Sequence, residues 1–267
     1  MTIFKNEIPI LEYDDDIKSI IMPNHASLEI KLPNKCLFTF LGEALDRLAE
    51  NYKARIITTF DSITKVYPIY IIEYRGEEIC LVQAPVGAAA SAQILDWLIS
   101  YGCKQIITTG SCGTLVGIDE NTFLVPYRAL RDEGASYHYL PPSRLVNINQ
   151  LALAAIEKTL TEHNLKYEEV MTWTTDGFYR ETSEMVKYRV GEGCKVVEME
   201  CSSLAAVAEF RDALWGQILF TADSLSDVEK YDPRGFGEDS IEYAIKLGLD
   251  TLINIKESPN YIRGKYE

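Results

Sequence analysis

Residues 196–204 read Val196-Val197-Glu198-Met199-Glu200-Cys201-Ser202-Ser203-Leu204, and this stretch decides the fold. A short apolar run ends abruptly in two carboxylates with a methionine between them. Small residues follow, and apolar residues then recur at the three-to-four spacing of a helix. The pattern predicts a buried strand that carries an acidic pair to the edge of a sheet, followed by a helix that packs back onto that sheet.

The two carboxylates, Glu198 and Glu200, admit two interpretations. Acidic side chains at the C-terminal end of a strand in an α/β protein commonly contact a ligand in the crevice there. Charges beside an apolar strand are costly unless they are paired or hydrogen-bonded, and the hydroxyls of a sugar are suitable donors. Alternatively, the two side chains are solvated or cap the following helix at Ser202. The residues alone support both interpretations equally.

Strand and helix patterns alternate along the rest of the chain. The alternation indicates a mostly parallel α/β fold in three layers, α/β/α, and the consecutive strands before residue 87 make the central sheet mixed. Residues 1–35 have weak periodicity and are predicted to form an N-terminal arm, with residues 36–267 as a single domain. Apolar runs predict strands at residues 36–40, 55–60, 69–74, 78–84, 105–109, 123–126, 169–174 and 216–221. Helical spacing predicts helices at residues 43–51, 87–101, 149–163 and 238–256.

Composition narrows the classes of function. The chain has 267 residues, of which 47% are hydrophobic, so it can bury a substantial core. Its 40 acidic and 26 basic residues give a net charge of −14, which argues against a general nucleic-acid surface because such surfaces need clustered positive charge. An anionic substrate would need a local basic pocket to offset this global field.

The cysteines and the N-terminal sequence favour a cytoplasmic protein. The six cysteines are scattered without a Cys-x-x-Cys pair, so reduced thiols are expected and no metal site is predicted. Residues 1–16 are polar and acidic, unlike a signal peptide. No apolar run approaches the roughly 20 residues that span a membrane. Neither a membrane nor a nucleic acid is therefore expected as a partner.

Four further polar segments fall at predicted strand ends, where α/β folds bind ligands. The first is a Gly-Ser-Cys-Gly turn at residues 110–113, whose Ser111 hydroxyl suits an anion or a ribose. The second is a polar, aromatic loop at residues 131–143. The third, near Phe178, offers aromatic rings for a flat heterocycle, although a core role fits this residue equally well. The fourth ends in Asp223, which is either a general acid or a loop or helix-cap residue.

These motifs, in this order, resemble the nucleoside phosphorylase family, which contains purine nucleoside phosphorylase, uridine phosphorylase and the thioadenosine/homocysteine nucleosidases. The resemblance runs from about residue 36 to residue 255. Its strongest part is Val197-Glu198-Met199-Glu200 with the small-residue helix that follows. The 110–113 turn is similar to the bacterial purine enzymes, the 131–139 segment to uridine phosphorylase, and the Asp176-Gly177-Phe178-Tyr179 segment to both.

The resemblance implies roles for the residues that would hold sugar and base. Met199 and Glu200 would hold the ribose, with Glu200 accepting hydrogen bonds from the 2′- and 3′-hydroxyls. Glu198 would support them from nearby. Phe178 would pack on the base, and Asp223 would protonate or hydrogen-bond the base as it departs.

The resemblance also implies a phosphate site and a contribution from a neighbouring subunit. Gly42 and Ser111 would take part in binding phosphate. His25 lies 17 residues before Gly42 and matches by position a family histidine that reaches the 5′-hydroxyl of a neighbouring subunit's ligand. A single histidine in an arm is otherwise a surface residue.

The expected phosphate site departs from the family pattern. Phosphorylases of the family use a Gly-Asp-Pro-x-Arg loop, where this chain reads Gly42-Glu43-Ala44-Leu45-Asp46-Arg47. Asp46 replaces the arginine, and Arg47 is turned by about 100° around a helix. Thr108 replaces a second arginine, two residues before the Gly-Ser turn. Losing two charge-assisted contacts weakens phosphate binding, unless another cation substitutes: Arg128, Arg131 or Arg180.

Three hypotheses of function follow. The expected function, which the family resemblance favours, is that of a nucleoside phosphorylase, in which inorganic phosphate is the co-substrate and the products are free base and ribose 1-phosphate; the other two hypotheses are alternatives to it. The missing arginines favour a hydrolytic nucleosidase that uses water. Because fold does not determine function, a non-catalytic nucleoside-binding protein is the third. The uracil-reading glutamine and arginine of uridine phosphorylase are replaced by Thr182 and Glu184, which leaves the base open.

The expected partners are small molecules and further copies of the chain. A nucleoside and phosphate are the expected ligands, and no additional cofactor or metal is expected. The chain is expected to be a homo-oligomer, a dimer or a hexamer, because the family completes each site with residues of a neighbouring subunit.

Overall fold

The structure, a computed structural model, describes residues 3–255. In this part of the chain the regular elements, in order, are β1 (Lys35–Thr39), α1 (Glu43–Asn51), β2 (Arg55–Asp61), β3 (Val66–Tyr74), β4 (Glu77–Gln83), α2 (Ala88–Ser100), β5 (Gln105–Thr114), β6 (Phe123–Asp132), β7 (Leu145–Asn147), α3 (Gln150–Glu162), β8 (Tyr167–Thr175), α4 (Ser183–Gly191), β9 (Cys194–Glu198), α5 (Cys201–Phe210), β10 (Leu214–Ser224) and α6 (Ile241–Asn254). Short 3-10 helices lie at Pro9–Leu11, Ala135–His138, Phe178–Arg180 and Glu238–Ser240.

The predicted strands and helices are confirmed, with ends that move by a few residues. The last predicted helix was drawn to residue 256, which lies outside the described residues. The strand β7 and the helix α4 were not predicted, since β7 has only three residues and α4 is not strongly amphipathic. Between residues 3 and 34 the only regular element is the 3-10 helix at Pro9–Leu11.

The prediction of a turn at residues 110–113 is wrong. These residues lie inside β5, which runs on to Thr114. Gly110, Ser111 and Cys112 pair with β10, and Gly113 pairs with Val197 of β9. Ladder partners on both sides keep the segment extended, and this tertiary pairing overrides the turn preference of the glycines. The polar loop predicted from residue 131 likewise begins later, because Arg131 and Asp132 still belong to β6.

The central sheet is mixed, as predicted. Strands β4, β1, β5 and β10 are mutually parallel neighbours, and so are β6, β8 and β9. The two groups meet in antiparallel pairs, β10 with β6 and β5 with β9. The hairpin strands β2 and β3 extend the sheet beyond β4.

These pairings close five strands into a ring, in the order β5, β10, β6, β8, β9 and back to β5. One buried cluster takes one side chain from each of the five strands, which identifies it as the filling of a small barrel: Cys112, Leu219, Leu124, Val170 and Val196. Around the sheet, α2 packs on α5 and α3 packs on α6. The ring brings the ends of β5, β8, β9 and β10 to one place.

The contact between β10 and α3 depends on a glycine. A Cβ at Gly216 would lie 2.7 Å from Ala152 Cβ and 3.1 Å from Ile156 Cδ1. We expect Gly216→Ala to lower the free energy of unfolding by about 1–3 kcal/mol, because helix and strand must move apart. At fixed protein concentration the melting temperature should fall by roughly 2–10 °C.

The matched control for this substitution is Gly191→Ala, at the end of α4. No atom lies within 4 Å of a Cβ placed at Gly191. That variant should be neutral or slightly more stable, because alanine reduces the conformational freedom of the unfolded chain. Equal melting temperatures for Gly216→Ala and wild type would contradict the packing described here.

All six cysteines are unpaired and buried, in agreement with the expectation of reduced thiols. Among residues 3–255, no helix is both long enough and apolar enough to cross a bilayer.

Candidate active site

Three strand ends converge on one point of the ring. Gly113 of β5 pairs with Val197 of β9, and Glu198 at the end of β9 pairs with Thr174 of β8. A Cβ at Gly113 would lie 3.1 Å from the Asp223 Oδ1 atom at the end of β10. The carboxylates of residues 198 and 223 therefore face the same region, although 25 residues separate them in sequence.

Glu198 is buried and fully engaged by the protein. Thr172 and Thr174 donate hydroxyl hydrogen bonds to its Oε1 at 3.2 and 2.6 Å. The backbone N–H groups of Glu200 and Cys201 donate to its Oε2 at 2.7 and 2.6 Å. Burial raises the pKa of this carboxyl, and these hydrogen bonds oppose the rise. Glu198 thus caps α5, which agrees with one of the two sequence-based interpretations, while the solvated one is wrong.

Glu200 is also buried, but its side chain does not cap the helix. The N–H of Gly87 donates to its Oε1 at 2.5 Å. Gly87 has φ of 104°, a conformation that disfavours any other residue. Burial, together with the charge of Glu198, raises the pKa of Glu200 to about 8. Met199 lies half-buried between the two glutamates.

Glu133 supports this arrangement from the loop after β6. It is buried, and it accepts hydrogen bonds from the Ser202 hydroxyl at 2.8 Å and from the Ser136 N–H at 2.9 Å. The contact ties the start of α5 to the 3-10 helix at Ala135–His138. The sequence indicated the polarity of this loop but not which of its residues is buried.

Asp223 lies with two groups that sequence reasoning did not identify. Burial, and then the charge of Asp223, raise the pKa of Glu181 to about 7. Burial, and then the carboxylate of Asp223, raise the pKa of Tyr231. Tyr231 comes from the loop that returns after β10, where Asp232 pairs with Ser224. The signal that could have found Glu181 is its place three residues after Phe178.

Phe178 forms an aromatic corner at the mouth of the site. It lies on the 3-10 helix that follows β8, is 47% exposed, and packs edge-to-face on Tyr179 with ring centroids 5.0 Å apart. The exposure excludes the alternative in which Phe178 belongs to the core. An exposed ring beside Glu181 is available to stack on a heterocycle.

The two residues predicted to bind phosphate lie on or just after neighbouring strands. Gly42 follows β1, Ser111 lies on the neighbouring β5, and Ser111 is exposed on the same strand face as Gly113. Asp46, in the first turn of α1, accepts a hydrogen bond from Tyr70 at 3.0 Å. Thr108 is buried and accepts a hydrogen bond from the Trp215 indole at 2.8 Å. The two positions that carry arginines in the phosphorylases therefore have structural roles here.

Two of the three proposed replacement arginines are engaged elsewhere. Arg131 is buried and holds its own loop through hydrogen bonds to Ser136, Leu140, Pro141 and Ser143. Arg128 binds Asn147 at 2.9 Å. Arg180 is exposed next to the aromatic corner, and among residues 3–255 no carboxylate forms an ion pair with it.

The two positions that would read uracil have structural roles as well. The Thr182 hydroxyl accepts the Met185 N–H at 3.4 Å and so caps α4. Glu184 is exposed and pairs with Lys187 on the same helix at 3.0 Å. Neither position carries the side chain that recognises uracil in the relatives.

His25 lies apart from the glutamates, in an exposed turn of the arm where its Nδ1 is 3.0 Å from the Met22 carbonyl oxygen. It lines a cavity of about 950 Å³ between the arm, α2 and the loop after β6, together with Gly134 and Asp176. Glu198, Glu200 and Asp223 do not line this cavity. The role of His25 toward a neighbouring subunit stays a prediction.

The electrostatic character of the site is acidic. Within the described part of the chain, no lysine, arginine or histidine forms an ion pair with Glu181, Glu198, Glu200 or Asp223. Burial raises the pKa of the Cys112 thiol well above its usual range, and the negative charges of Glu198 and Asp223 raise it further. Such a site stabilises developing positive charge and disfavours a dianion.

Known proteins with similar sequences and folds process nucleosides or nucleotides. The profile of the phosphorylase superfamily matches residues 35–253. A DeoD-type purine nucleoside phosphorylase of Buchnera aphidicola is 24% identical over 213 residues, which cover 77% of this chain and 87% of that protein. The AMP nucleosidase of Bacteroides thetaiotaomicron is 25% identical with a TM-score of 0.67, over 83% of this chain and 88% of that one.

A third similar protein is informative about the fold alone. The purine nucleoside phosphorylase of Toxoplasma gondii is 19% identical, with a TM-score of 0.73 over 84% of this chain and 92% of that one.

Proposed function

This chain belongs to the phosphorylase superfamily, and from that premise we propose that it cleaves the N-glycosidic bond of a nucleoside with water as the nucleophile. The superfamily comprises enzymes that bind nucleosides, and its members split this bond by phosphorolysis or by hydrolysis. The observation that carries the choice of water is the acidic, cation-poor site formed by Glu181, Glu198, Glu200 and Asp223.

The chemistry needs two kinds of stabilisation. Cleavage of the bond develops positive charge on the ribosyl ring and negative charge on the departing base. The carboxylate form of Glu200, oriented by the Gly87 N–H, accepts hydrogen bonds from the sugar hydroxyls and stabilises the cation. Asp223 delivers a proton or a hydrogen bond to the base. Phe178 holds the base by stacking, with Glu181 beside it.

The choice between phosphate and water as the nucleophile depends on the charges of the groups expected beside the sugar. A phosphate dianion needs charge-assisted donors, and Arg–phosphate pairs are the strongest of these. Asp46 and Thr108 supply no positive charge at the two expected positions, and Asp46 adds a negative one. Water carries no charge and needs no such donors.

Phosphorolysis, which the family resemblance favours, is the second candidate. The curated relative from Buchnera is named as a phosphorylase, and Gly42 has the left-handed backbone (φ of 56°) that suits a tight ligand-binding loop. Exposed Arg180 is the cation that phosphorolysis would need to recruit.

The deciding experiment identifies the sugar product. Purified protein is incubated with inosine, adenosine, uridine or AMP, in the presence and absence of phosphate. Hydrolysis gives free ribose (or ribose 5-phosphate from AMP) at the same rate in both conditions. Ribose 1-phosphate formed only with phosphate would overturn the proposal in favour of phosphorolysis. Tight binding of a nucleoside without any cleavage would support the third hypothesis, a nucleoside-binding protein.

The pH dependence tests the role of Glu200. Only the ionised carboxylate accepts two hydroxyl hydrogen bonds, and its pKa in the free protein is raised to about 8. We therefore expect kcat/KM to rise about tenfold per pH unit below that value and to level off above it. The Glu181→Gln variant should show the same rise of kcat/KM with pH, because that rise comes from the ionisation of Glu200 and not of Glu181. A kcat/KM that is flat from about pH 6 to 9 would contradict the assignment.

The assembly proposed for the active protein is a homo-oligomer. The support is the family resemblance together with His25, which lines a cavity that this chain's Glu198 and Glu200 do not line and which would serve the site of a second copy.

A further inference from the structure

Three cysteines from distant parts of the chain meet in the core. The Sγ atoms of Cys36, Cys80 and Cys103 all lie within 4.8 Å of one another, and all three residues are fully buried. Cys36 and Cys80 are register partners on the parallel strands β1 and β4. Cys103 lies in the connection from α2 to β5, the strand on the other side of β1.

This cluster is separate from the candidate active site. Cys36 is the second residue of β1, and Cys103 lies two residues before the first residue of β5. The site carboxylates lie at the opposite, carboxyl ends of the strands. The proposed cleavage of nucleosides makes no use of these thiols.

The ligand set is restricted to sulfur. Among residues 3–255, no histidine, aspartate, glutamate or further cysteine joins the three sulfurs within the same distance. Zinc prefers four ligands, whereas thiolates select soft ions. With bonds of about 2.3 Å, three sulfurs around an ion of pyramidal geometry lie roughly 3.4 Å apart, so the cluster would contract by up to about 1.4 Å.

The net charge of the complex narrows the choice of ion further. An uncompensated charge in an apolar core is costly. Three thiolates around a monovalent ion would leave two negative charges, and around a divalent ion one. Three thiolates around a trivalent ion form a neutral complex.

We propose that Cys36, Cys80 and Cys103 form a binding site for a soft trivalent ion held by three sulfur ligands, with arsenic(III) as its defining probe. Arsenous acid, As(OH)₃, reacts with three thiols to give As(SR)₃ and three waters. Three As–O and three S–H bonds break, three As–S and three O–H bonds form, and arsenic stays in oxidation state III.

The test incubates the reduced full-length protein with arsenite and records native mass spectra and thermal melts. The expected result is one bound arsenic, with the mass of one arsenic atom less three hydrogens, which reports three As–S bonds. Arsenite should also raise the melting temperature, since it binds the folded state. Cys36→Ala, Cys80→Ala and Cys103→Ala should each weaken binding by at least the order of 100-fold, more than is typical of residues that only orient a ligand.

Cys194→Ala is the matched control, because Cys194 is equally buried but lies at the start of β9 in another cluster. It should bind arsenic like the wild type. No bound arsenic in the wild type, or a mass that reports only two As–S bonds, would overturn the proposal and leave the cysteines as small apolar core residues. An equal loss of arsenic binding in Cys194→Ala would also overturn the proposal. The wild-type mass decides the matter even where an alanine variant fails to fold.

Discussion

Asp223→Asn is expected to reduce kcat/KM for purine nucleoside cleavage by about 100- to 10,000-fold, the usual contribution of a general acid. Asparagine keeps the size of the side chain, and its amide can still contact Tyr231, so the fold should be preserved. What it loses is the proton for the departing base. The measurement is steady-state kinetics on a nucleoside that the wild type cleaves, with melting temperature as the check on folding.

A nucleoside that needs no proton sharpens the test of Asp223. A purine nucleoside methylated at N7 carries its positive charge on the base already, so the base departs without an acid. Asp223→Asn should cleave it at close to the wild-type rate. Asp227→Asn, an exposed carboxylate in the following loop, should retain full activity on both substrates. Near-normal cleavage of the unmethylated nucleoside by Asp223→Asn would exclude the assigned role.

Glu200→Gln is expected to have an effect of similar size. Glutamine still accepts the Gly87 N–H through its carbonyl oxygen, but its NH₂ group donates where the carboxylate accepts. Hydrogen bonds to charged groups contribute about 1.5–3 kcal/mol each. Losing two of them to the sugar hydroxyls should lower kcat/KM by about 100- to 10,000-fold. For a 2′,3′-dideoxynucleoside, which lacks both hydroxyls, kcat/KM should be similar for the variant and the wild type.

The stability of the Glu200→Gln variant should move in the opposite direction. The raised pKa means that the folded wild type holds a proton that the unfolded chain, with a pKa near 4.5, releases. The stabilisation from that proton is complete below the unfolded pKa and is lost as the pH rises through about 8. Glutamine cannot ionise, so the variant should be more stable than the wild type above that pH. Glu242→Gln, on the surface of α6, should change neither activity nor stability appreciably.

A large part of the architecture was predictable from local sequence. Alternating strand and helix patterns gave the α/β class, because side-chain periods of 2 and 3.6 differ enough to be told apart. The acidic pair at the end of β9 was recognisable because charges seldom follow a buried strand without a partner or a purpose. The prediction of a turn at residues 110–113 failed because the two glycines there are held in an extended strand by hydrogen-bonded pairing with neighbouring strands on both sides.

The individual roles within the candidate site were less predictable. Glu198 and Glu200 look equivalent in sequence, yet Glu198 accepts hydrogen bonds from four donors of the protein itself, whereas Glu200 accepts one from the Gly87 N–H and is the residue that we propose binds the sugar. Tyr231 gave no sequence signal, and the only signal for Glu181 was its place three residues after Phe178, because their proximity to Asp223 is created by loops that follow different strands. The same holds for Thr108, whose partner Trp215 lies 107 residues away.

The sequence by itself determined most of the elements, the mixed sheet, the family resemblance and the presence of Asp46 and Thr108 where the resemblance leads us to expect arginines, since each depends on residue type and local spacing. Tertiary structure alone decided three things: the closure of five strands into a ring, the division of labour between Glu198 and Glu200, and the meeting of Cys36, Cys80 and Cys103. The physical reason is that these features arise from contacts between residues far apart in the chain. Strand pairing brings those residues into contact, and the conformational preferences of local sequence do not predict which distant residues meet.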